Sequence, residues 1–374
     1  MKIIYISHAL NLLGGLQKIA IVKANELSRR GHDVTLLVFG QNDEGFMPEP
    51  ISPEVKYVNL DLWNKLGRFG TFWRRLLLGR RLIKQYIKEH KPDIVVSLGD
   101  TDRLILPTIR HRGVKFVREI HMQSIFNLIE NPKGPHRYLA SLKNFIDYWL
   151  LGCRWDRVVL LSEHDLKEDW RGWKKNVIVI PNPLPISPRL SDLTEKVVVS
   201  AGRLHPHKNY PLLIEAFALV VKEHPDWSLH IYGDGVQHDD LQGLIDEKGI
   251  GENVRLMGLR HDMATVMSQA SIFALTSLHE GFGLALLEAL ACGLPVVATY
   301  TAGTDEIMKG YGCGYLAKQG DPADIAMKIN DLIERPEKRK LLQQNAIKRA
   351  NDFNLDKVIG MWEELFSSLV NKEQ

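Results

Sequence analysis

Two glutamates eight residues apart are the residues whose types and spacing best suggest chemistry. Glu280 begins a glycine-rich stretch that continues as Gly281-Phe282-Gly283, and Glu288 lies on the helix predicted to follow. The apolar runs from Ser271 to Leu275 and from Leu294 to Ala298 predict buried strands on either side. Glycines let the backbone approach a ligand, and the first turn of a helix has unpaired N–H groups that bind phosphate.

Carboxylates beside an anion site would repel the anion unless they bind other groups. They fit if they accept hydrogen bonds from neutral hydroxyls on either side of a pair of phosphates. A nucleotide sugar has this layout, with ribose hydroxyls, a diphosphate and sugar hydroxyls. The simpler interpretation is an ordinary strand, turn and helix in which the acids cap the helix start.

A second candidate phosphate site follows the strand predicted from Val197 to Ala201. Its loop contains Gly202, Arg203, Lys208 and Asn209. Arginine binds phosphate with a planar fork and lysine as a point charge, so two fixed cations could stabilise a departing diphosphate without a metal. The alternative is a solvated basic loop.

The segment from Thr276 to Thr299 resembles the E-x7-E signature of retaining glycosyltransferases of the family 4 type, or group 1 glycosyltransferases. The resemblance implies an α/β protein with the GT-B fold, in which two Rossmann-like, doubly wound domains face an interdomain cleft. It implies that Glu280 contacts the donor sugar and Glu288 the ribose. Arg203 and Lys208 would contact the donor diphosphate. The backbone groups expected to assist belong to Gly281, Phe282, Gly283 and Leu284.

Weaker motifs of this family occur in the expected order along nearly the whole chain. They are Gly14-Gly15, His121, the linker Ile180-Pro181-Asn182, Gly233 in a G-x-G turn, Met257 before the expected base-binding loop, and Gly303-Thr304-Asp305-Glu306-Ile307. By resemblance, the glycine pair lets the backbone approach the donor phosphates, although Gln17 stands where family members often carry an acid. A tight turn into a helix explains these glycines equally well.

By the same resemblance, His121 lies near the transferred sugar. Arg118 and Glu119 beside it are candidate contacts on the acceptor side. A lone histidine at the end of a strand is more often a packed, hydrogen-bonded residue than a catalytic one. Both interpretations of His121 stay open at this point.

The order of predicted elements indicates two parallel sheets with helices on both faces. The first series of strands is Ile3–Ile6, Asp33–Phe39, Asp93–Leu98, Lys115–Ile120, Val158–Ser162 and Val177–Ile180; the second is Val197–Ala201, Ser228–Tyr232, Val254–Met257, Ile272–Leu275 and Val296–Ala298. The proline-rich stretch 181–188 predicts a linker. We expect an acceptor-binding domain at 1–183, a donor-binding domain at 184–354, and a helix at 355–374 that returns to the first domain.

The composition is that of an ordinary globular protein. The 374 residues are 45% hydrophobic and 25% charged, and the net charge of +3 gives no argument for nucleic acid. The cysteines Cys153, Cys292 and Cys313 have no metal-ligand spacing and suit a reducing compartment. No leader and no apolar run of about 18 residues is evident, so we expect a cytosolic protein.

Two further segments have competing interpretations. Asp100-Thr101-Asp102 mimics a D-x-D metal motif but lies far from the donor motifs, so we expect no metal and no cofactor. The basic, partly aromatic stretch from Asn64 to Lys91 could rest on an anionic membrane at its inner face. The alternative is a helix with solvated basic side chains.

The family resemblance, together with these observations, implies a retaining enzyme that moves a sugar from a UDP- or GDP-sugar to an acceptor hydroxyl. The expected acceptor is a glycan or a lipid-linked molecule in cell-surface polysaccharide or glycolipid assembly. The alternatives are a nucleotide-sugar epimerase or a glycan phosphorylase of the same fold, and a nucleotide-sugar-binding protein without turnover.

Overall fold

The computed structural model describes residues 1–11, 14–40, 47–62, 72–98, 105–109, 111–121, 154–168 and 176–371. The chain divides into two compact units. The first comprises Met1–Pro183 with Asp356–Gln374, and the second comprises Leu184–Leu355. Each unit contains one parallel sheet with its own helices, and the two are described separately.

The first unit has a seven-stranded sheet in the order β3-β2-β1-β4-β5-β6-β7. Its strands are β1 Lys2–Ser7, β2 Asp33–Val38, β3 Lys56–Asn59, β4 Ile94–Ser97, β5 Lys115–Ile120, β6 Arg157–Leu160 and β7 Val177–Val179. Its first three described helices are α1 Gly15–Arg29, α2 Phe72–His90 and α3 Glu163–Glu168. The strands are rich in valine and isoleucine because helices cover both faces of such a sheet. The order of the strands reverses between β1 and β4.

The second unit has a six-stranded sheet in the order β10-β9-β8-β11-β12-β13. Its strands are β8 Val197–Ala201, β9 Ser228–Tyr232, β10 Val254–Leu256, β11 Ile272–Leu275, β12 Val296–Thr299 and β13 Gly314–Ala317. Its helices are α4 Tyr210–Glu223, α5 His238–Lys248, α6 Met263–Ser268, α7 Leu284–Ala291, α8 Ala302–Met308, α9 Pro322–Glu334 and α10 Pro336–Ala350. The order reverses between β8 and β11, which pair in parallel. Ligands of doubly wound sheets bind beyond the carboxyl ends of the strands at such a reversal.

The last helix, α11 Leu355–Val370, contributes an apolar face to the first unit. Its buried side chains recur every three or four residues, as an amphipathic helix requires: Val358, Ile359, Trp362, Leu365, Phe366 and Leu369. Glu363 at the edge of this face accepts a hydrogen bond from Arg30 Nη1 at 2.8 Å and lies 2.9 Å from His32 Nε2.

The predicted α/β class with two doubly wound parallel sheets is confirmed. The predicted strands are present with bounds that shift by one or two residues at most. The sequence analysis missed the edge strands β3 and β13. Cys292 and Cys313 are buried thiols, and burial raises the pKa of both to about 11. Cys153 lies outside the described residues.

Candidate functional site

The reversal point of the second sheet brings together a lysine and a glutamate that are far apart in sequence. Lys208 ends the short 3₁₀ helix Pro206–Lys208 after β8, and Glu280 lies in the loop after β11. Because β8 and β11 are parallel neighbours, both loops leave the same edge of the sheet. The Lys208 ammonium donates to Glu280 Oε1, and the Ser277 hydroxyl donates to the same oxygen at 2.7 Å.

Backbone contacts fix the two loops against each other. The Thr276 hydroxyl donates to the carbonyls of Lys208 and Asn209 at 3.2 and 3.0 Å. The Leu278 N–H donates to the His207 carbonyl at 2.8 Å. The contacts between the two loops therefore fix the positions of Lys208 and Glu280 relative to each other. Such preorganisation is what a charged binding site needs.

The Glu280 carboxylate is ionised in this setting. Its side chain is 10% exposed and that of Lys208 is 14% exposed. Burial alone would raise the pKa of Glu280, but the Lys208 charge and the hydrogen bonds from Lys208 and Ser277 outweigh it and lower the pKa. The carboxylate is therefore purely a hydrogen-bond acceptor at neutral pH.

Histidines in the same loop are held close to these charges. His207 Nδ1 lies 2.7 Å from His205 Nδ1. Burial, followed by the charge of Lys208, lowers the pKa of His207 to about 4, so its ring is neutral at neutral pH. Arg203 is exposed, and its charge is among those that lower this pKa. The loop therefore keeps its positive charge on Arg203 and Lys208.

Glycines let the loops beyond β8 and β9 pack backbone against backbone. A Cβ on Gly202 would lie 3.0 Å from the Tyr210 hydroxyl, and a Cβ on Gly233 only 1.9 Å from the Gly202 carbonyl oxygen. The Gly233 N–H donates to the Gly258 carbonyl at 2.9 Å. The Met257 N–H, just after β10, donates to the Ile231 carbonyl of β9 at 2.8 Å. These predicted residues therefore lie along one edge of the sheet.

The helix α7 begins at the site without a capping side chain. Gly283 is its N-cap, with φ of 74°, a left-handed conformation that suits glycine. The Phe282 ring is buried and packs edge-on against Phe353 at 5.5 Å between centroids. Glu288 lies within α7 and is 6% exposed.

The other predicted residues lie in the first unit. Gly14 is the N-cap of α1 and Gly15 its first residue. Arg118 and Glu119 are buried in β5, and His121 follows that strand. Glu119 forms an ion pair with Lys23 and lies 3.0 Å from His121 Nε2.

Lys23 was missed in the sequence analysis, although the chain carries a signal for it. Its neighbours at positions i−4, i−3 and i+4 of α1 are buried and apolar: Ile19, Ala20 and Leu27. A lysine inside such a stripe must have a buried partner, since an unpaired buried charge is very costly. The sequence predicts that a partner exists but does not say which residue it is.

Two families have sequence models that match this chain in succession. The model for Glycosyltransferase Family 4 matches residues 13–187, and that for Glycosyl transferases group 1 matches residues 186–349. The chain belongs to the group 1 glycosyltransferases.

Relatives of this group 1 glycosyltransferase cover most of its length. It is 25% identical over 356 residues to an uncharacterised glycosyltransferase of Haemophilus influenzae, covering 94% of this chain and 95% of the relative. It is 26% identical over 303 residues to the N-acetyl-α-D-glucosaminyl L-malate synthase of Bacillus anthracis, covering 78% and 72%.

A solved structure shows the same fold. Staphylococcus aureus TarM, crystallised with fondaparinux, α-GlcNAc-glycerol and UDP, superposes with a TM-score of 0.79 at 16% identity, covering 98% of this glycosyltransferase and 99% of TarM. The predicted two-domain GT-B fold is confirmed by this likeness.

The candidate cation-binding side chains that the structure describes lie far from the Lys208–Glu280 pair of the glycosyltransferase. Among the described residues, the group that could hold a cation is Glu223, His224 and Glu334. Glu223 ends α4, and the 14 residues of that helix separate it from Lys208 by roughly 20 Å. Asp100-Thr101-Asp102 lies outside the described residues.

The basic stretch of the glycosyltransferase is described from Phe72 onward, where it forms α2. Ile83 and Ile87 face the core. The opposite face combines exposed basic residues with Leu77, whose exposed fraction is 68%; the basic residues are Arg74, Arg81, Lys84 and Lys88. No helix in the described ranges is long and apolar enough to cross a bilayer.

Proposed function

We propose that this glycosyltransferase moves a sugar from a nucleotide diphosphate sugar, a UDP-sugar in the first instance, to an acceptor hydroxyl with retention of configuration. The observation that carries the proposal is the Lys208–Glu280 pair with Ser277 at the sheet reversal. UDP in the TarM crystals supports a UDP-linked donor.

In this proposal the bound donor replaces the Lys208–Glu280 ion pair with a contact from its diphosphate to Lys208 and a contact from its sugar to Glu280. Without donor, the Lys208 ammonium is neutralised by Glu280. The diphosphate becomes the new counterion of Lys208, with Arg203 and the first amides of α7 beside it. Glu280 is then released to accept hydrogen bonds from the sugar hydroxyls. Fixed cations at the leaving diphosphate stabilise the charge that grows as the glycosidic bond breaks.

The remaining donor contacts follow from position along the sheet edge. Glu288, held in α7, is assigned to the ribose hydroxyls, and the loop after Met257 to the base. Gly14 and Gly15 are assigned to the phosphates and His121 to the transferred sugar. The acceptor, a glycan or a lipid-linked saccharide, is assigned to the first unit, where Arg118 lies.

Retention in a single step requires attack from the face that the phosphate leaves, whereas retention through a covalent intermediate takes two successive inversions. We assign a front-face route in which the bond from the anomeric carbon to the phosphate oxygen breaks as the acceptor oxygen bonds to that carbon. The acceptor proton passes to the departing phosphate oxygen. Lys208 and Arg203 hold that phosphate in place, so no separate side-chain base is required.

The decisive experiment combines binding and stereochemistry. UDP at a hundred times its dissociation constant should stabilise the protein by about 2.7 kcal/mol, and GDP serves as the comparison. The linkage formed from an α-linked UDP-sugar is then read by proton NMR. An α-linked product supports the proposal, and a β-linked product overturns retention. An isomerised sugar released without acceptor would identify an epimerase instead.

We predict that transfer persists in excess EDTA. The proposed site supplies two cations of its own, so a divalent ion is not required for the leaving diphosphate. Initial rates are compared in EDTA, in buffer alone and with added manganese. Loss of activity in EDTA and its return with manganese would contradict this prediction and direct attention to Asp100-Thr101-Asp102.

We further propose that α2 rests on the inner, cytoplasmic face of an anionic membrane, where a lipid-linked acceptor would lie. Each basic residue near such a surface contributes about 1 kcal/mol. Leu77, exposed between Arg74 and Arg81, can enter the interface as an apolar contact. The arrangement has the mixed charge and apolar character of surface-bound helices.

The prediction for this surface is salt-sensitive binding that depends on its charges. Wild type should pellet with vesicles of acidic lipid at low salt and be released at high salt. The variant Arg81→Glu/Lys84→Glu should stay in the supernatant. The control Lys340→Glu/Lys348→Glu changes net charge equally on an exposed face of α10 and should pellet like wild type. Equal behaviour of the two variants would contradict the proposal.

A further inference from the structure

The second unit holds a cluster of metal-ligating side chains where α4 and α9 end side by side. Glu223 is the last residue of α4, His224 is its C-cap, and Glu334 is the last residue of α9. One imidazole nitrogen and one oxygen of each carboxylate lie within 4.8 Å of one another. The proposed transfer assigns this cluster no role, and the length of α4 separates it from Lys208.

The packing of the two helices fixes the place of this cluster. Val220 of α4 and Ile329 of α9 are fully buried in the same hydrophobic core. The His224 N–H continues the hydrogen-bond pattern of α4 by donating to the Val220 carbonyl at 2.8 Å. Both helices therefore meet at their carboxyl-terminal ends, and the negative ends of their dipoles favour a cation there.

An unpartnered imidazole nitrogen distinguishes the cluster from an ordinary group of surface acids. His224 Nε2 is shielded from solvent and has no hydrogen-bond partner. Glu334 Oε1 lies 3.5 Å from this nitrogen without forming a hydrogen bond to it. A buried polar atom without a partner costs free energy, which a bond from its lone pair to a metal ion would recover.

Asn330 holds one of the two carboxylates in place. It lies one turn before the end of α9 and is 8% exposed. Its Nδ2 donates to Glu223 Oε2 at 3.0 Å, while its Oδ1 is buried without a partner. Carboxylates that bind metals are commonly held by such hydrogen bonds. A water molecule on a bound ion would donate to Oδ1, so an occupied site satisfies this oxygen as well as His224 Nε2.

Basic side chains of the chain do not neutralise these carboxylates. Among the described residues, neither Glu223 nor Glu334 forms an ion pair with a lysine or an arginine. The basic residues that follow α9 are engaged with Asp331 instead, Arg335 at 2.7 Å and Lys338 at 2.9 Å. Two anions held this close repel each other, and a bound divalent cation would remove the repulsion.

The set of donor atoms selects a class of metal. An imidazole nitrogen with carboxylate oxygens suits Zn²⁺ and related transition metals, whereas Mg²⁺ and Ca²⁺ prefer oxygen ligands alone. Zinc binds such ligands at about 2.0–2.2 Å in a tetrahedron, which places ligand atoms about 3.4 Å apart. The separation of 3.5 Å between His224 Nε2 and Glu334 Oε1 matches this geometry.

We propose that Glu223, His224 and Glu334 form a zinc site that joins the end of α4 to the end of α9. The ion takes one nitrogen and two carboxylate oxygens from the chain and a water molecule at its fourth position. Its role is to hold the two helices together within the second unit. The site is independent of the function proposed above, since it uses none of the residues assigned to donor or acceptor.

The test measures metal binding directly. Protein stripped with EDTA and then dialysed without chelator is titrated with ZnCl₂ by isothermal titration calorimetry, with MgCl₂ and CaCl₂ for comparison. Glu334→Gln and His224→Ala should each raise the dissociation constant for Zn²⁺ by about tenfold or more, at least what the loss of a supporting contact costs a metal site. Equal zinc binding by wild type and both variants would overturn the proposal. Magnesium binding as tight as zinc binding would overturn the choice of metal.

Two matched variants repeat these substitutions away from the cluster. His238→Ala removes a histidine that lies beside Asp239 on α5, and Glu337→Gln removes an exposed glutamate of α10 that pairs with Lys340. Both should bind zinc as wild type does. Glu334 is exposed, so Glu334→Gln should fold even if His224→Ala does not. Loss of zinc binding in these controls equal to that in the cluster variants would contradict the assignment.

The proposed role predicts a change in stability and none in the rate of transfer. Zinc at a hundred times its dissociation constant should raise the melting temperature of metal-free wild type by roughly 5 °C or more, and that of Glu334→Gln by much less. Initial rates measured below the melting transition should agree within about twofold with and without zinc. A melting temperature that zinc does not move would refute the structural role, and a rate that follows zinc occupancy would overturn it in favour of a catalytic ion.

Discussion

Lys208→Ala and Glu280→Gln should each lower the turnover number by about a hundredfold or more. Lys208 is assigned to the leaving diphosphate and Glu280 to the sugar, so each variant removes a contact that strengthens as the bond breaks. The two side chains are ion-paired and mostly buried, so thermal melts must accompany the kinetics. We expect both variants to remain folded at the assay temperature.

Exposed residues of α4 provide matched controls. Lys222→Ala and Glu215→Gln repeat the same chemical changes on the helix that follows Lys208, and both sites face solvent. Their rates should stay within about twofold of wild type. Near-normal rates in both Lys208→Ala and Glu280→Gln with the native donor would show that the site lies elsewhere.

Gly233→Ala should disrupt the second unit more than any surface substitution. Gly233 has a φ of 146°, and a Cβ there would lie 1.9 Å from the carbonyl oxygen of Gly202. Backbone strain and overpacking together should destabilise the unit by about 3 kcal/mol or more, which lowers its melting temperature by roughly 10 °C. Donor binding should weaken as well, because Gly202 precedes Arg203 in the candidate site.

Gly243→Ala is the matched control for this change. Gly243 lies within α5, and a Cβ there would meet no atom within 4 Å. Alanine favours the helix, so this variant should gain about 0.5–1 kcal/mol. Differential scanning calorimetry of the two variants measures the contrast. Equal melting temperatures would mean that the loops beyond β8 and β9 do not pack as described.

The sequence predicted the strands with clear apolar runs and missed those without them. β1 contains the continuous buried apolar run Ile3-Ile4-Tyr5-Ile6. The missed edge strand β3, Lys56-Tyr57-Val58-Asn59, is partly exposed. An edge strand pairs on one side and needs less apolar surface, so its pattern resembles that of a loop. Periodicity alone does not separate such strands from turns.

The candidate site was predicted residue by residue, but its geometry was not. Lys208 and Glu280 lie 72 positions apart, and their contact depends on β8 and β11 being neighbours in the sheet. Sequence motifs place each residue at the end of a strand without giving the order of the strands. Ser277 and Thr276 were missed for the same reason, since their roles arise only from the packing of two loops.

The return of α11 to the first unit reverses the usual order of assembly during synthesis. Domains generally fold as they leave the ribosome, with the N-terminal one first. Here the second unit is a continuous segment that ends at Leu355, so it can be completed while the first unit still lacks its last helix. Until Trp362 emerges, the nascent first unit carries the Lys23–Glu119 pair without the Trp362 ring that lies over the Lys23 ammonium. The unit that begins the chain is therefore the last to be finished.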